Sequence, residues 1–283
     1  MQAFFTNNRK VTFPHDHEWG TPSWYASLSD EQKKAAMQGD FGRMLHNRGA
    51  KFVTWIAFET PGSQGSAELR LRNASIFLLD FGDGPFAVTA GHVYSAYFEA
   101  KQQVPHVSCQ VANVPFHPED RLIDYREKSD IATFKITREE ARQFGVNIII
   151  ANKDSWPSSP PKVGNYVLIV GYPEQARQQS SNTKEVSFGL YAALTPVTVI
   201  TDHHITCRFD RDFMVDTRGL GIPPEGYALS GLSGAPMLQP WFDNGQWDWR
   251  LVGVCYTGHA DRGWEEVKAA CSNYILPDGR LSM

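Results

Sequence analysis

The sequence predicts an all-β protein made of two β units, and two observations carry that expectation. From residue 51 onward the chain breaks into short runs rich in Val, Ile, Phe and Thr, separated by Gly, Pro and Asp, the signature of a barrel or sandwich. The stretch "ANKDSWPSSPPKVG" (151–164), with Pro157, Pro160 and Pro161, then divides the runs into two series. At 283 residues, 42% hydrophobic and 20% charged, the chain is globular and long enough for one large domain or two small ones.

Taken in order, residues 1–28 read as irregular, with Pro14, Pro22 and scattered aromatics. "SDEQKKAAMQGDFGRMLHNRG" (29–49) reads as a helix. Ser29 and Gln32 fit a capping box, Ala36, Phe41 and Leu45 form a partial apolar stripe, and Gly49 is a stop. Residues 1–49 are thus expected as an N-terminal extension with one helix. The first β unit (50–150) holds "KFVTWIAF", "AELRLRNASIFLLDF", "FAVTAGHV", "HVSCQVANV", "DIATFKI" and "VNIII". The second (165–283) holds "YVLIVGY", "VSFGLYAALTPVTVIT", "HITCRFD" and "WDWRLVGVCYTG". Near the end, Trp264, Val267, Cys271 and Tyr274 recur at helical spacing and predict a short C-terminal helix.

Composition excludes several classes. With 27 basic and 31 acidic residues, a net charge of −4 and no basic run, the chain has no electrostatic footprint for nucleic acid. No segment approaches the roughly 20 apolar residues needed to span a bilayer, and the N-terminus lacks a secretory pattern. Cys109, Cys207, Cys255 and Cys271 have no close pairing, so reduced thiols in a cytoplasmic protein are expected, with no zinc site. Cys255 reads as a small packed hydrophobe. His15 with His17 and His203 with His204 read as solvated loop residues, and no metal is expected.

Three stretches carry the candidate chemistry. "GYALSGLSGAPML" (226–238) wraps Ser233 in glycines, a pattern that by itself fits a nucleophile or an ordinary turn. "AVTAGHV" puts His92 after an apolar strand, and "KSDIATFKI" puts Asp130 at the head of another. Serine is a poor nucleophile at neutral pH and needs a base, and the base needs a carboxylate to fix its tautomer. Asp120 and Asp124 compete for that last role, but only Asp130 directly precedes an apolar strand. An α/β-hydrolase elbow is rejected: it needs Asp and then His downstream, and the 50 residues after Ser233, with His259 their sole histidine, are too few to complete such a sheet.

These boxes resemble those of the chymotrypsin-like (trypsin-fold) serine endopeptidases, especially the HtrA-like bacterial branch. "TAGHV" is similar to the family's Thr-Ala-Ala-His box, "SDIATFKI" to its Asp-Ile/Leu-Ala box, and "GLSGAP" to its Gly-x-Ser-Gly-Gly-Pro box. "PPKVGNYVLIVGYP" resembles the opening of the second barrel, and "LVGVCYTG" the strand lining the substrate cleft. The resemblance covers about residues 50–260 and implies two six-stranded antiparallel Greek-key β-barrels with the active site between them. It implies a serine endopeptidase with His92 as general base, Asp130 as its orienter and Ser233 as nucleophile. The N–H groups of Gly231 and Ser233 would form the oxyanion hole. Tyr256, Thr257 and Gly258 would wall the pocket, Tyr227 would floor it, and His259 would stand at the rim.

The implied substrate is a protein or peptide, and no cofactor is needed. A regulatory protein partner is compatible with the lack of a PDZ-like module after the barrels. Tyr227 brings no charge to the pocket floor, where Lys- and Arg-specific relatives carry aspartate, so small or medium apolar substrate side chains are expected; Glu225 is close by. Leu232 stands where the trypsins place an aspartate that receives a newly freed N-terminus. Activation by N-terminal cleavage is therefore not expected. Ala235 replaces the second glycine of the serine box, a small change. The competing reading is a catalytically silent module of the same fold that binds peptides or a partner protein.

Overall fold

The computed structural model describes residues 3–6, 9–12, 19–61, 69–104, 106–179, 185–208, 214–216, 229–243, 245–261 and 264–282. It begins with β1 (Ala3–Thr6) and β2 (Arg9–Thr12), an antiparallel pair, followed by α1 (Pro22–Ser27), α2 (Asp30–Gln38) and α3 (Asp40–Gly49). The first β unit contains β3 (Val53–Pro61), β4 (Leu69–Asp80), β5 (Pro85–Ala90), α4 (Gly91–Gln103), β6 (Cys109–Val111) and β7 (Val114–Pro115). It continues through α5 (Pro118–Arg121), β8 (Leu122–Arg126), β9 (Ile131–Lys135), α6 (Arg138–Phe144) and β10 (Ile148–Ile150). The second unit contains β11 (Tyr166–Gly171), β12 (Arg177–Gln179), β13 (Val186–Phe188), β14 (Tyr191–Ile200) and β15 (His204–Arg208). It ends with β16 (Met214–Asp216), β17 (Pro236–Asp243), β18 (Gln246–Asp261) and β19 (Trp264–Cys271).

The fold is mostly β, as expected, and the second unit closes on itself. Its strands run β11-β17-β18-β19-β15-β14, and β14 pairs back onto β11 to complete a six-stranded antiparallel barrel; β16 adds to β14 outside the ring. The first unit is a sheet in the order β7-β6-β3-β4-β5-β9-β8. All of its pairs are antiparallel except that of β10, which runs parallel to β4.

Side-chain alternation explains why both units bury their strands on two faces. On β4, Ile76 and Leu78 enter the first unit's own core, while Phe77 and Leu79 face a second core. On β11, Val167 and Ile169 fill the barrel interior, while Leu168 and Val170 meet that same second core. The two units are joined through this shared apolar layer.

Three expectations at the ends of the chain need correction. Residues 1–28 are not wholly irregular: they include the β1–β2 pair and α1, which Thr21 caps through its hydroxyl. The capping box of Ser29 and Gln32 forms, but the helix that follows is two helices, broken where Gly39 takes an extended conformation. The C-terminal helix does not form. Trp264–Cys271 is strand β19, held between β15 and β18, and only a single 3₁₀ turn, Ser272–Tyr274, follows it. Val267, Ala269 and Cys271 also alternate, and their burial in the barrel interior outweighs the helical spacing of the same window.

The N-terminal helices pack on the second unit. Arg48 Nη1 donates to Trp247 O at 3.0 Å, Trp247 Nε1 donates to Gly20 O, and the Phe41 and Trp247 rings meet edge-on. The chain's end returns to the first unit, where Gly279 O accepts from the buried Thr133 hydroxyl at 2.6 Å. Among the described residues no helix is long and apolar enough to cross a membrane.

Candidate active site

The site is built from one strand end, one tight turn and one glycine loop. The buried strand β5 runs straight into α4, so His92 falls in the helix's first turn, where backbone N–H groups have no partner within the helix. Asp130 supplies those partners. Its carbonyl accepts from Gly91 N at 2.8 Å, and its Oδ1 accepts from His92 N at 2.6 Å. Its other oxygen, Oδ2, lies 2.7 Å from His92 Nδ1. A carboxylate only accepts, so the imidazole proton sits on Nδ1 and the Nε2 lone pair is left free to take a proton. One residue thus caps the helix and fixes the tautomer.

Asp130 does this from a left-handed backbone conformation, φ 50°, closing a turn in which its N–H donates to Glu127 O at 3.1 Å. Aspartate tolerates that conformation better than most residues, and strain of this kind concentrates at functional sites. The carboxylate is 23% exposed and the imidazole 49%. Gly91 leaves room for the arrangement: a Cβ there would stand 2.9 Å from Tyr125 Cε2 and 3.0 Å from Asp130 Oδ1. Neither competing carboxylate bonds to His92 among the described residues. Asp124 accepts from Leu281 N at 3.0 Å, and Asp120 lies in α5.

Ser233 is presented by two consecutive turns. Leu232 N donates to Leu229 O, with Gly231 at φ 94°, and Ala235 N donates to Leu232 O, with Gly234 at φ 84°. A positive φ at the third residue of a hydrogen-bonded turn is the type II pattern that calls for glycine. Gly234 also approaches the His92 strand closely: a Cβ on it would lie 2.1 Å from both Thr89 Oγ1 and Ser75 O, and 3.0 Å from Ala90 N. The serine loop is therefore seated two residues from His92 along the chain.

The N–H groups of Leu232, Gly234 and Ala235 are all used, whereas those of Gly231 and Ser233 have no hydrogen-bond partner among the described residues. Ser230 O accepts from Glu174 N at 2.7 Å. Because a trans peptide points its C=O and N–H in opposite directions, that bond turns the Gly231 N–H away from Glu174. Leu232 is 2% exposed and packs in the barrel core.

Ser233 Oγ donates to Tyr256 O at 3.5 Å, and no hydrogen bond joins it to His92 among the described residues. Tyr256 sits where the β18–β19 register shifts between Cys255 and Thr257, a bulge that takes it out of the ladder. Its ring is half-buried; burial pushes the phenol up, Lys268 draws it down, and the Asp130 carboxylate adds to the rise. Thr257, Gly258 and His259 follow on β18. Tyr227, the expected pocket floor, and Glu225 lie outside the described residues. A groove of about 920 Å³, lined in part by Trp55, Arg72, Glu174, Arg177 and Phe188, runs beside the segment that holds Ser230.

The four cysteines are buried and unpaired; Cys255 hydrogen-bonds to the serine turn through its backbone, and burial pushes the Cys207 thiol up to about 12 and that of Cys271 to about 11. His203 and His204 bond to Tyr274 and Thr201, while His15 and His17 lie outside the described residues. His117, Glu119 and Asp120 come together, but Glu119 already binds Tyr97 and Lys101. The sequence reading missed the residues that seat the loops: Ser75, Thr89, Tyr172 and Glu174. Only a threonine inside the otherwise apolar β5 was a signal, and it pointed to Thr89 alone. No family model matches the chain, and no curated protein matches it.

Proposed function

We propose that the chain is a serine endopeptidase of the chymotrypsin-like class, with the first sheet serving as a second Greek-key barrel beside the closed one. The observation that carries this reading is the Asp130–His92 pair, with its tautomer fixed, beside a serine turn in which the N–H groups of Gly231 and Ser233 have no hydrogen-bond partner among the described residues. In the proposed reaction Ser233 Oγ attacks the substrate carbonyl carbon and its proton passes to His92 Nε2. The Gly231 and Ser233 N–H groups hold the oxyanion, and collapse of the tetrahedral adduct breaks the peptide bond. The amine leaves with the proton from His92, and water, activated by the same base, hydrolyses the acyl-enzyme.

No metal or cofactor has a role in this sequence. The substrate chain would lie along β18 past Tyr256, Thr257, Gly258 and His259, with small or medium apolar side chains favoured at the cleavage site. Glu174 N fixes the Ser230 peptide and a buried Leu232 replaces an ion-pairing residue, so the intact N-terminus is compatible with activity.

A silent peptide-binding module is the second reading, and the Ser233 Oγ contact with the Tyr256 carbonyl favours it. Apo enzymes often close the serine–histidine bond only when substrate is present, which removes the conflict with catalysis. A fluorophosphonate probe separates the two. Labelling of the wild type at Ser233, lost in Ser233→Ala and reduced by several orders of magnitude in His92→Ala, is expected of the enzyme. A wild type that resists the probe while binding peptides would leave only the silent module.

A further inference from the structure

Ser75 is fully buried and reaches both the serine loop and the strand that leads into His92. At this point β4 has not yet entered its paired stretch with β5, which begins at Phe77 and Val88, so the Ser75 backbone groups on that side take other partners. Its N–H donates to Ser233 O at 2.9 Å, and its carbonyl accepts from Thr89 Oγ1, on the strand that leads into His92, at 2.7 Å. Its hydroxyl donates to Gly231 O at 2.8 Å and accepts from Tyr172 N at 3.0 Å. Gly171 admits that hydroxyl, since a Cβ there would lie 2.5 Å from Ser75 Oγ.

The backbone bonds survive any side-chain change, but the hydroxyl is specific to serine. It holds the Gly231 carbonyl, while Glu174 N holds the Ser230 carbonyl one peptide earlier. With both carbonyls held, the Gly231 N–H has one direction. We propose that Ser75 is a positioning residue: its hydroxyl sets the oxyanion-binding loop of Ser233 from the opposite β unit, while its backbone ties that loop to the strand leading into His92. The inference rests on the serine-peptidase reading and adds to it a residue that touches no substrate.

A residue of this kind acts on the transition state more than on ground-state binding, because the oxyanion forms only as the carbonyl is attacked. The test compares wild type with Ser75→Ala on an N-acetyl-alanine p-nitrophenyl ester, together with fluorophosphonate labelling rates and affinity for an N-acetyl-alanine boronate. The expected result is a fall of about 10- to 100-fold in kcat and labelling rate, with KM changed less than about threefold. Boronate affinity should fall in parallel, all in protein whose circular dichroism shows it folded.

A merely structural Ser75 would lower the melting temperature and leave kcat per folded molecule unchanged, and that outcome overturns the proposal. If Ser75→Ala does not fold, Ser75→Cys replaces the hydroxyl with a weak donor and is judged by the same split. A wild type that the probe fails to label removes the serine-peptidase reading itself and Ser75's role with it. A labelled wild type with an equally reactive Ser75→Ala removes only the role of Ser75.

Discussion

The two halves of the site are held in different ways. The His92 half is self-contained: Gly91, His92, Glu127 and Asp130 bond to one another within the first unit, and the helix end and the turn satisfy each other. The Ser233 half borrows its supports. The carbonyls of Ser230, Gly231 and Ser233 are held by Glu174 N, Ser75 Oγ and Ser75 N, all outside the loop, and Ser75 comes from the other unit. The base is thus organised by local chain chemistry, whereas the nucleophile's loop depends on docking between the units. Changes on the histidine side should therefore act mainly on chemistry, and changes on the serine side on chemistry and stability together.

The largest effect is expected from Asp130→Asn. Asparagine also tolerates a positive φ, so the turn and helix start should survive, but its amide cannot fix the same imidazole tautomer. We expect kcat to fall about 10³- to 10⁴-fold with a melting temperature close to that of wild type. A large loss of stability in Asp130→Asn would show that the histidine half is not self-contained.

Gly234→Ala tests the other half. Its Cβ would meet Ser75 O and Thr89 Oγ1 at 2.1 Å from a backbone at φ 84°, so both the loop and the contact between units must shift. Activity loss should come with about 2–4 kcal/mol of destabilisation, read by denaturant unfolding. A variant as stable as wild type would contradict the dependence on docking.

Gly91→Ala should be milder and purely chemical. The new methyl meets Tyr125 Cε2 at 2.9 Å and Asp130 Oδ1 at 3.0 Å, displacing the carboxylate slightly from the imidazole. We expect about a tenfold fall in kcat, partly restored when Tyr125→Leu is added. Failure of that second change to help would place the strain on Asp130 alone.

The smallest effect lies on the rim of the first unit, at Glu140. Burial works to raise its pKa, but the Thr137 N–H and hydroxyl, with Arg121, outweigh it and hold the carboxyl below its ordinary value. A group depressed on folding contributes stability above its unfolded pKa and loses it as pH falls through the folded value. Glu140→Gln should therefore cost about 1 kcal/mol at neutral pH. The gap from wild type should close as the solution is acidified below the carboxylate range, and a gap that stays constant down to acid pH would refute the assignment.

What the sequence determined by itself was local. The Ser29 and Gln32 capping box, the buried strand ahead of His92, the placement of Asp130 before an apolar run and the glycines around Ser233 depend on neighbours a few residues away, and those are written in order along the chain. Residues 264–274 carried helical and alternating patterns at once, and only the open edges of β15 and β18 chose the strand, because burying Val267, Ala269 and Cys271 closes the barrel. The partners of Ser75 were equally illegible, since Gly231 and Ser233 stand more than 150 residues away and meet it only when the two units share a core. Tertiary structure decided those features because hydrogen bonds and buried area between distant segments exist only after the chain has folded.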